Sequence, residues 1–126
     1  MKILIAEDNA VNRELLRELL EIRGHEVIEA CNGEEALRAL EDCKPEILLL
    51  DLGMPVLDGY GTVRKIRENP SFATLPVLAV TAYAMQGDKE RILSSGFDGY
   101  LSKPINPTLL FQELERLFSA TVKGTA

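Results

Sequence analysis

The feature that most constrains the fold is a fivefold alternation of short apolar runs with longer amphipathic stretches. The apolar runs are KILIA (2–6), EVIEA (26–30), EILLL (46–50), PVLAV (76–80) and GYLS (99–102). Three of them are almost continuously apolar, which is typical of strands in a parallel sheet covered on both faces. The alternation therefore predicts an α/β fold of (βα)₅ type, a doubly wound five-stranded parallel sheet with right-handed crossovers and helices on both faces.

The stretches between these runs carry helix signals at both ends. They predict helices over 10–23, 32–43, 59–68 and 85–94, followed by a last helix capped by Asn106 with Pro107 at its first position. Asn32, with Glu35 as its capping-box partner, and Asp58 are further predicted caps. Apolar stripes at helical spacing are expected in the first helix (Val11, Leu15, Leu19, Ile22) and in the last (Leu110, Leu114, Leu117, Phe118).

Length and charge exclude several classes of protein. A chain of 126 residues fits one domain, predicted over 1–119 with a C-terminal tail over 120–126. The net charge of −6 argues against a nucleic-acid surface, which requires a basic patch. No apolar run approaches the roughly 18–20 residues that span a bilayer, and an acidic N-terminal segment is unlike a signal peptide. Cys31 and Cys43 are expected as small buried side chains in a reducing compartment, so we expect a cytoplasmic protein.

Chemically active side chains follow four of the five predicted strands. They are Glu7 and Asp8 after the first, Asp51 after the third, Thr81 after the fourth, and Ser102 and Lys103 after the fifth. Since sites in such sheets form beyond the carboxyl ends of the strands, these groups are predicted to share one rim. Each alone has an ordinary explanation, because Asp8 or Asn9 could simply cap the first helix.

Three carboxylates on one rim repel one another unless a cation neutralises them. Oxygen ligands in a partly hydrated site suit Mg²⁺, and the backbone at Gly53 is free to turn a carbonyl inward as another ligand. A carboxylate beside such a cation can act as a nucleophile toward phosphoryl groups and form an aspartyl phosphate. Asp51 is therefore the candidate nucleophile, while Lys103 and the metal ion would offset charge on the phosphoryl oxygens.

Four motifs in order give the chain a family resemblance. EDN (7–9), LLLDLGMPVLDG (48–59), VTAYA (80–84) and YLSKPI (100–105) resemble the receiver domains of two-component response regulators, over about residues 2–118. The resemblance implies a flavodoxin-like sheet in the order 2-1-3-4-5. It also implies that Asp51 is the phosphoacceptor and that Thr81 and Lys103 contact phosphoryl oxygens.

The resemblance also assigns the metal site and the switch. It implies a Mg²⁺ site, with Mn²⁺ as a substitute, formed by Asp8, Asp51 and the Gly53 carbonyl, with Glu7 acting through water. Tyr100 occupies the switch-aromatic position together with Thr81; the alternative is an edge-strand tyrosine that half covers the sheet. Pro104 matches a proline often preceded by a cis peptide bond. Gly53 and Tyr83 occupy positions that tune the lifetime of the phosphoryl group in the family, so that lifetime is not predicted.

The implied reaction is transfer from a phosphohistidine on a sensor histidine kinase or a histidine phosphotransfer protein to Asp51. The chain would then be a phosphoacceptor that catalyses only its own phosphorylation and dephosphorylation, not an enzyme acting on other substrates. Val11, Pro104 and Ile105 flank the pocket and would dock the donor helix, although Val11 is equally well explained as a core contact. The readout is expected on the fourth helix, fifth strand and fifth helix, in a monomer or weak dimer without nucleic acid or membrane contacts.

Other functional classes fit the motifs less well. An aspartate-based phosphatase requires a second acid where Gly53 stands, and the EDNAVN turn (7–12) would repel the phosphate of a flavodoxin cofactor. A receiver that only binds partners would lack Asp51, Thr81 or Lys103. Two versions of the receiver stay open: a stand-alone or phosphorelay protein, which the MKILIA start and the short C-terminus favour, and a domain excised from a hybrid histidine kinase.

Overall fold

The computed structural model describes residues 1–54, 57–82 and 86–125, with only the backbone for 86–87 and 120–125. The strands are β1 (Lys2–Ala6), β2 (Glu26–Ala30), β3 (Ile47–Asp51), β4 (Val77–Thr81) and β5 (Gly99–Ser102). The helices are α1 (Ala10–Ile22), α2 (Gly33–Cys43), α3 (Gly59–Glu68), α4 (Gln86–Ser94) and α5 (Pro107–Thr125), with a 3₁₀ turn at Pro70–Phe72. The predicted elements are confirmed, with β3 and β4 each displaced by one residue toward the C-terminus.

The five strands form one parallel sheet in the order β2-β1-β3-β4-β5. This is the flavodoxin-like order that the resemblance implied. From β1 the chain adds β2 on one side and β3 on the other, so the direction in which strands are added changes between β1 and β3. In such sheets a crevice forms at this switch point, beyond the carboxyl ends of the two strands. The acidic residues after β1 and at the end of β3 therefore meet in this crevice.

Alternate strand residues point to opposite faces and build two cores. One core packs side chains of α2, α3 and α4 on the sheet, among them Leu40, Val63 and Ile92. The other packs α1 and α5, through Leu16, Leu20, Leu110, Leu114 and Leu117. Helices thus cover both faces, which explains why the central strands can be apolar on both sides.

Polar caps fix where the helices begin. The side chains of Asn9, Asn32, Asp58 and Asn106 accept hydrogen bonds from backbone N–H groups three residues later, at 2.8–3.2 Å. Asn9, not Asp8, caps α1, which leaves the Asp8 carboxylate available to the crevice. Glu35 accepts from the backbone N–H of Cys31, one residue before the predicted capping-box donor.

Three sequence-based expectations about the helices need correction. On α1 the buried residues are Leu16 and Leu20, while Val11 and Ile22 are 75% and 80% exposed and Leu15 is exposed too. The sequence carries two adjacent apolar stripes at helical spacing, and of the predicted one only Leu19 packs against the core, partly buried. On α5, Phe118 is likewise exposed, although the other three residues of its predicted stripe are buried. The helical backbone also continues to Thr125, through most of the predicted tail.

Within the described residues, no helix combines the length and the apolar character that a membrane crossing requires.

Candidate functional site

The carboxyl ends of the strands bring most of the predicted site residues to one rim. Asp51 and Thr81 are the last residues of the adjacent strands β3 and β4, and both are buried. Thr81 pairs in register with Ser102 of β5, and the backbone N–H of Lys103 donates to the Thr81 carbonyl at 2.8 Å. This hydrogen bond extends the pairing of β4 and β5 by one residue. It fixes the backbone of Lys103, whose side chain reaches Asp51.

Three carboxylates form a tight cluster in the crevice. Glu7, Asp8 and Asp51 each offer an oxygen, and these atoms all lie within 4.8 Å of one another. Glu7 is 1% exposed and Asp51 5% exposed, whereas Asp8 is exposed to solvent. The cluster is thus buried on the protein side and open on one side only.

Lys103 bridges two members of this cluster. Its Nζ lies 2.8 Å from Glu7 Oε1 and donates to Asp51 Oδ2 at 3.1 Å. The other Asp51 oxygen, Oδ1, accepts a hydrogen bond from the Gly53 backbone N–H at 3.1 Å. Three carboxyl groups therefore share one ammonium group in a poorly solvated position.

Burial is the main influence on the pKa values of this cluster. It raises the pKa of Glu7 to about 7, with the adjacent Asp51 carboxylate adding to the increase and Lys103 opposing it. Burial would also raise the pKa of Asp51, but the Glu7 carboxyl group, the Gly53 amide and Lys103 together lower it below its usual value. Burial disfavours the charge on Lys103, yet its two carboxylate neighbours raise its pKa. Of the pair Glu7 and Asp51, Asp51 is therefore the one that ionises more readily.

The donor set fits a hard divalent cation. Among the described residues neither Glu7 carboxylate oxygen has a hydrogen-bond partner of good geometry, although both oxygens are buried. Glu7 Oε1 has the ion pair with Lys103, but that one ammonium group is shared with Asp51, so the cluster of carboxyl groups can accept a further positive ligand. Carboxylate oxygens with one side open to water are the environment that Mg²⁺ prefers.

Arg13 supports the cluster and was missed in the sequence. Its Nη1 donates to the Glu7 carbonyl at 2.9 Å, and the Glu7 N–H donates to the Ala30 carbonyl at 3.1 Å. Both backbone groups of Glu7 are thereby fixed, which aims its side chain into the crevice. The only sequence signal is a basic residue in the first turn of a helix that follows two acids, and such a residue is too common to indicate a role.

A cleft of about 690 Å³ extends from this cluster toward α3 and α4. Its walls include Asp8, Asp51, Gly53, Thr81 and Lys103, and at its far end Asp58, Tyr60, Asp88 and Arg91. Five of the predicted site residues thus share one cavity with Tyr60 and Arg91, which the motifs did not indicate, whereas Glu7 lines a neighbouring groove beside α1.

The remaining predicted residues lie around this cleft. Tyr100 is half-buried on β5, packs on the α2–α4 side of the sheet and carries Lys89 Nζ 5.5 Å from its ring centre, outside the cleft wall. The Lys103–Pro104 peptide is cis, as the resemblance implied. Val11 is not a core contact, because three quarters of it is exposed. Tyr83 lies outside the described residues.

Comparisons with known proteins agree with this geometry. Residues 3–115 match the family model described as response regulator receiver domain. The chain is 39% identical to the polar-differentiation response regulator DivK of Brucella anthropi, over 82% of this chain and 85% of that protein. It is 41% identical to hybrid signal transduction histidine kinase I of Dictyostelium discoideum, over 88% of this chain but only 7% of the kinase's length.

A solved structure shares the fold. The receiver domain of a sensor histidine kinase from Pseudomonas aeruginosa, described with a magnesium ion coordinated in its active site cleft, superimposes with a TM-score of 0.86. The two chains are 36% identical, over 94% of this chain and 97% of the other. Since the family model covers nearly the whole chain, the protein belongs to the response regulator receiver domains of two-component signalling.

Proposed function

We propose that Asp51 accepts a phosphoryl group from a phosphohistidine on a sensor histidine kinase or a histidine phosphotransfer protein. The observation that carries this proposal is the position of Asp51. Its carboxylate is 5% exposed, opens on the cleft, holds the ionised form and has Lys103 Nζ 3.1 Å from one oxygen. An ionised carboxylate held in a poorly solvated position on a cleft is suited to nucleophilic attack, and the same group can also hold a metal ion.

In the proposed step, a carboxylate oxygen of Asp51 attacks phosphorus as the bond from phosphorus to the donor imidazole nitrogen breaks. The imidazole keeps the electron pair, and Asp51 becomes an acyl phosphate. Lys103 moves its contact from the carboxylate to a phosphoryl oxygen, and the Thr81 hydroxyl donates to another. Positioning and charge neutralisation account for the rate, because little other covalent chemistry is needed.

Mg²⁺, with Mn²⁺ as a substitute, is the cofactor that this donor set supports. Glu7, Asp8, Asp51 and the Gly53 carbonyl would hold it, and it would supply positive charge next to the phosphoryl oxygens. The buried Glu7 carboxyl group, which shares the Lys103 ammonium group with Asp51, and the tight carboxylate cluster support this assignment. The chain's own residues then place the acceptor, exclude water from one side and keep Lys103 between Glu7 and Asp51.

The donor is proposed to dock on an apolar surface beside the cleft. Val11 and Leu15 are exposed on α1, and a groove of about 300 Å³ between α1 and the β5–α5 turn is lined by Leu15, Pro104 and Ile105. Glu7 and Lys103 lie at the bottom of the same groove. An amphipathic helix that presents a phosphohistidine could therefore cover the groove while its phosphoryl group reaches Asp51.

The output is proposed to follow from the Thr81–Tyr100 pair. Thr81 drawn toward a phosphoryl group would vacate space for the Tyr100 ring, a population shift between two arrangements. Tyr100 packs on the side of the sheet that α4 covers, so the change would reach a downstream protein through α4, β5 and α5. The domain boundary at 119, the cytoplasmic location, a monomeric or weakly dimeric state, and the choice between stand-alone protein and hybrid-kinase domain stay predictions.

Labelling of Asp51 tests the proposal. Incubation with acetyl phosphate and Mg²⁺ should add one phosphoryl group to the wild-type protein, detected by mass spectrometry, and none to Asp51→Asn. Asp88→Asn, which removes a carboxylate from the far end of the same cleft, is the matched control and should still be labelled. Labelling of Asp51→Asn at the same peptide would refute the assignment.

A further inference from the structure

The far end of the cleft contains a cation that the phosphoacceptor chemistry above does not use. The Arg91 guanidinium lies over the Tyr60 ring, 4.1 Å from its centre. Tyr60 is itself held edge-on by the buried Phe97, with ring centres 6.1 Å apart at 86°. A stacked guanidinium keeps its N–H edge free for an anion, and the stacking fixes its direction.

This cation has no carboxylate partner in the described part of the chain. Other arginines in the structure form ion pairs, such as Arg17 with Glu29 at 2.6 Å, but no acidic oxygen lies within 4.0 Å of the Arg91 side chain among the described residues. Asp58 shares the cleft wall, yet its side chain already accepts the capping bond from the Gly61 N–H. Arg91 is thus a positioned charge that faces a cavity shared with Asp51.

The size of the cavity leaves room for more than a phosphoryl group. At about 690 Å³ it lies within the range of about 300–1,000 Å³ that is usual for small-molecule sites. Its Asp51 end holds Asp8 and Lys103, and at its far end the stacked Arg91 cation lies among the Asp58 and Asp88 carboxylates, so an anionic ligand there can pair only with Arg91 of these residues. A small donor that places its phosphoryl group at Asp51 can therefore extend its other end toward Arg91.

We propose that Arg91, held on Tyr60, is a leaving-group subsite that favours acyl phosphates as small phosphodonors; this rests on the proposed function of Asp51. When Asp51 attacks phosphorus, the bond from phosphorus to the acyl oxygen breaks, and that oxygen leaves with the electron pair as a carboxylate. No proton is needed. Arg91 stabilises this developing negative charge, which phosphoramidate does not produce because its leaving group is neutral ammonia.

The ratio of two labelling rates tests the subsite. Rate constants for phosphorylation by acetyl phosphate and by phosphoramidate are measured in Mg²⁺ for the wild type and for Arg91→Gln. We expect Arg91→Gln to lower the acetyl phosphate rate about threefold to tenfold, the effect of one partly solvated charge contact, and to leave the phosphoramidate rate nearly unchanged. Arg91→Lys should recover part of the lost acetyl phosphate rate. Tyr60→Leu, which removes the ring that Arg91 stacks on, should lower the ratio of the acetyl phosphate rate to the phosphoramidate rate.

Arg64→Gln is the matched control, since it removes an exposed cation from α3 outside the cleft wall and should leave the ratio at the wild-type value. Urea midpoints check that each variant is folded. If the ratio of the acetyl phosphate rate to the phosphoramidate rate is unchanged in Arg91→Gln, the subsite is overturned. An equal loss of rate with both donors leaves that ratio unchanged and also overturns it, because it would reflect a change in α4 or in the overall electrostatic field. Asp51→Asn is measured in parallel: labelling that persists there overturns the phosphoacceptor assignment itself, whatever the ratio shows.

Discussion

Glu7 is the residue whose replacement tests the electrostatics of the site most directly. Its carboxyl group is almost fully buried and its pKa is raised from an ordinary value of 4.5 to about 7. A carboxyl group with a raised pKa binds its proton more tightly in the folded state than in the unfolded state. Its stabilising effect is therefore complete below pH 4.5 and is lost as the pH rises to about 7.

The size of this loss follows from the same two values. At about 1.4 kcal/mol per pKa unit, ionised Glu7 destabilises the metal-free protein by about 3 kcal/mol above neutral pH. Glu7→Gln keeps the shape and removes the charge, so it should stabilise the protein by about 3 kcal/mol relative to wild type near pH 8.5. Near pH 4.5 the gain should shrink to a few tenths of a kcal/mol, because folded wild type then carries a neutral Glu7.

The assay is urea unfolding of both proteins in EDTA at several pH values between about 4.5 and 8.5. Asp51, with its lowered pKa, and Lys103, with its raised pKa, titrate outside this range. The lowered pKa of His25 affects both proteins alike, so it cancels in the difference. Glu18→Gln on the exposed side of α1 reports the effect of removing an acid outside the cluster.

Magnesium provides the second arm of this experiment. An ion that binds only the folded protein stabilises it according to its concentration and affinity, so about 10 mM Mg²⁺ should stabilise wild type more than Glu7→Gln. The difference in free energy of unfolding between Glu7→Gln and wild type should therefore become smaller at high pH when Mg²⁺ is present. In EDTA, the stability difference between Glu7→Gln and wild type should grow as the pH rises. If that difference stays constant with pH, or grows as the pH falls, burial of Glu7 is not the dominant electrostatic cost of the site.

Two further predictions concern the scaffold and the docking surface. Arg67, whose side chain is 22% exposed, donates to the carbonyls of Phe72, Ala73, Leu75 and Gly96 and to the Asp98 carboxylate. Arg67→Ala should lower the free energy of unfolding by about 2–4 kcal/mol in urea titrations, and Arg64→Ala on the same helix by less than about 0.5 kcal/mol; equal effects would contradict this. Val11→Ser should slow phosphotransfer from the histidine donor about threefold to tenfold without changing labelling by acetyl phosphate. Ile22→Ser, equally exposed at the other end of α1, should change neither rate, and a matching loss there would exclude a local docking contact.

The site was predictable from the sequence because the fold concentrates it. In a parallel sheet every strand delivers its last residues to the same edge, so Asp51 and Thr81 needed only correct strand ends to become neighbours. Lys103 follows the last strand in the same way, and its backbone bond to Thr81 is a continuation of the ladder. Apolar runs mark strand ends to within one residue, which was accurate enough here.

The buried faces of the helices were harder to predict. Helical periodicity shows which residues share a face of the helix, but not which face packs against the sheet. On α1 the stripe through Val11 and Leu15 and the stripe through Leu16 and Leu20 are one residue apart, about 100° around the axis. Only packing against α5 and the sheet decides that the second stripe is buried. Two of the misassigned residues, Val11 and Leu15, then belong to the proposed docking surface.

The contact between Tyr60 and Arg91, which lie on different helices, left no sequence signal. Tyr60 lies on α3 and Arg91 on α4, 31 positions apart in the chain, and neither residue type is unusual for a helix surface. Their stacking depends on how α3 and α4 pack on the same face of the sheet. Under the two proposals above, the strand-end residues set the reaction of the acceptor, and the helices that frame the cleft influence which small donors react. If so, receivers with the same rim residues should differ in donor preference according to the charge that α4 presents to the cleft.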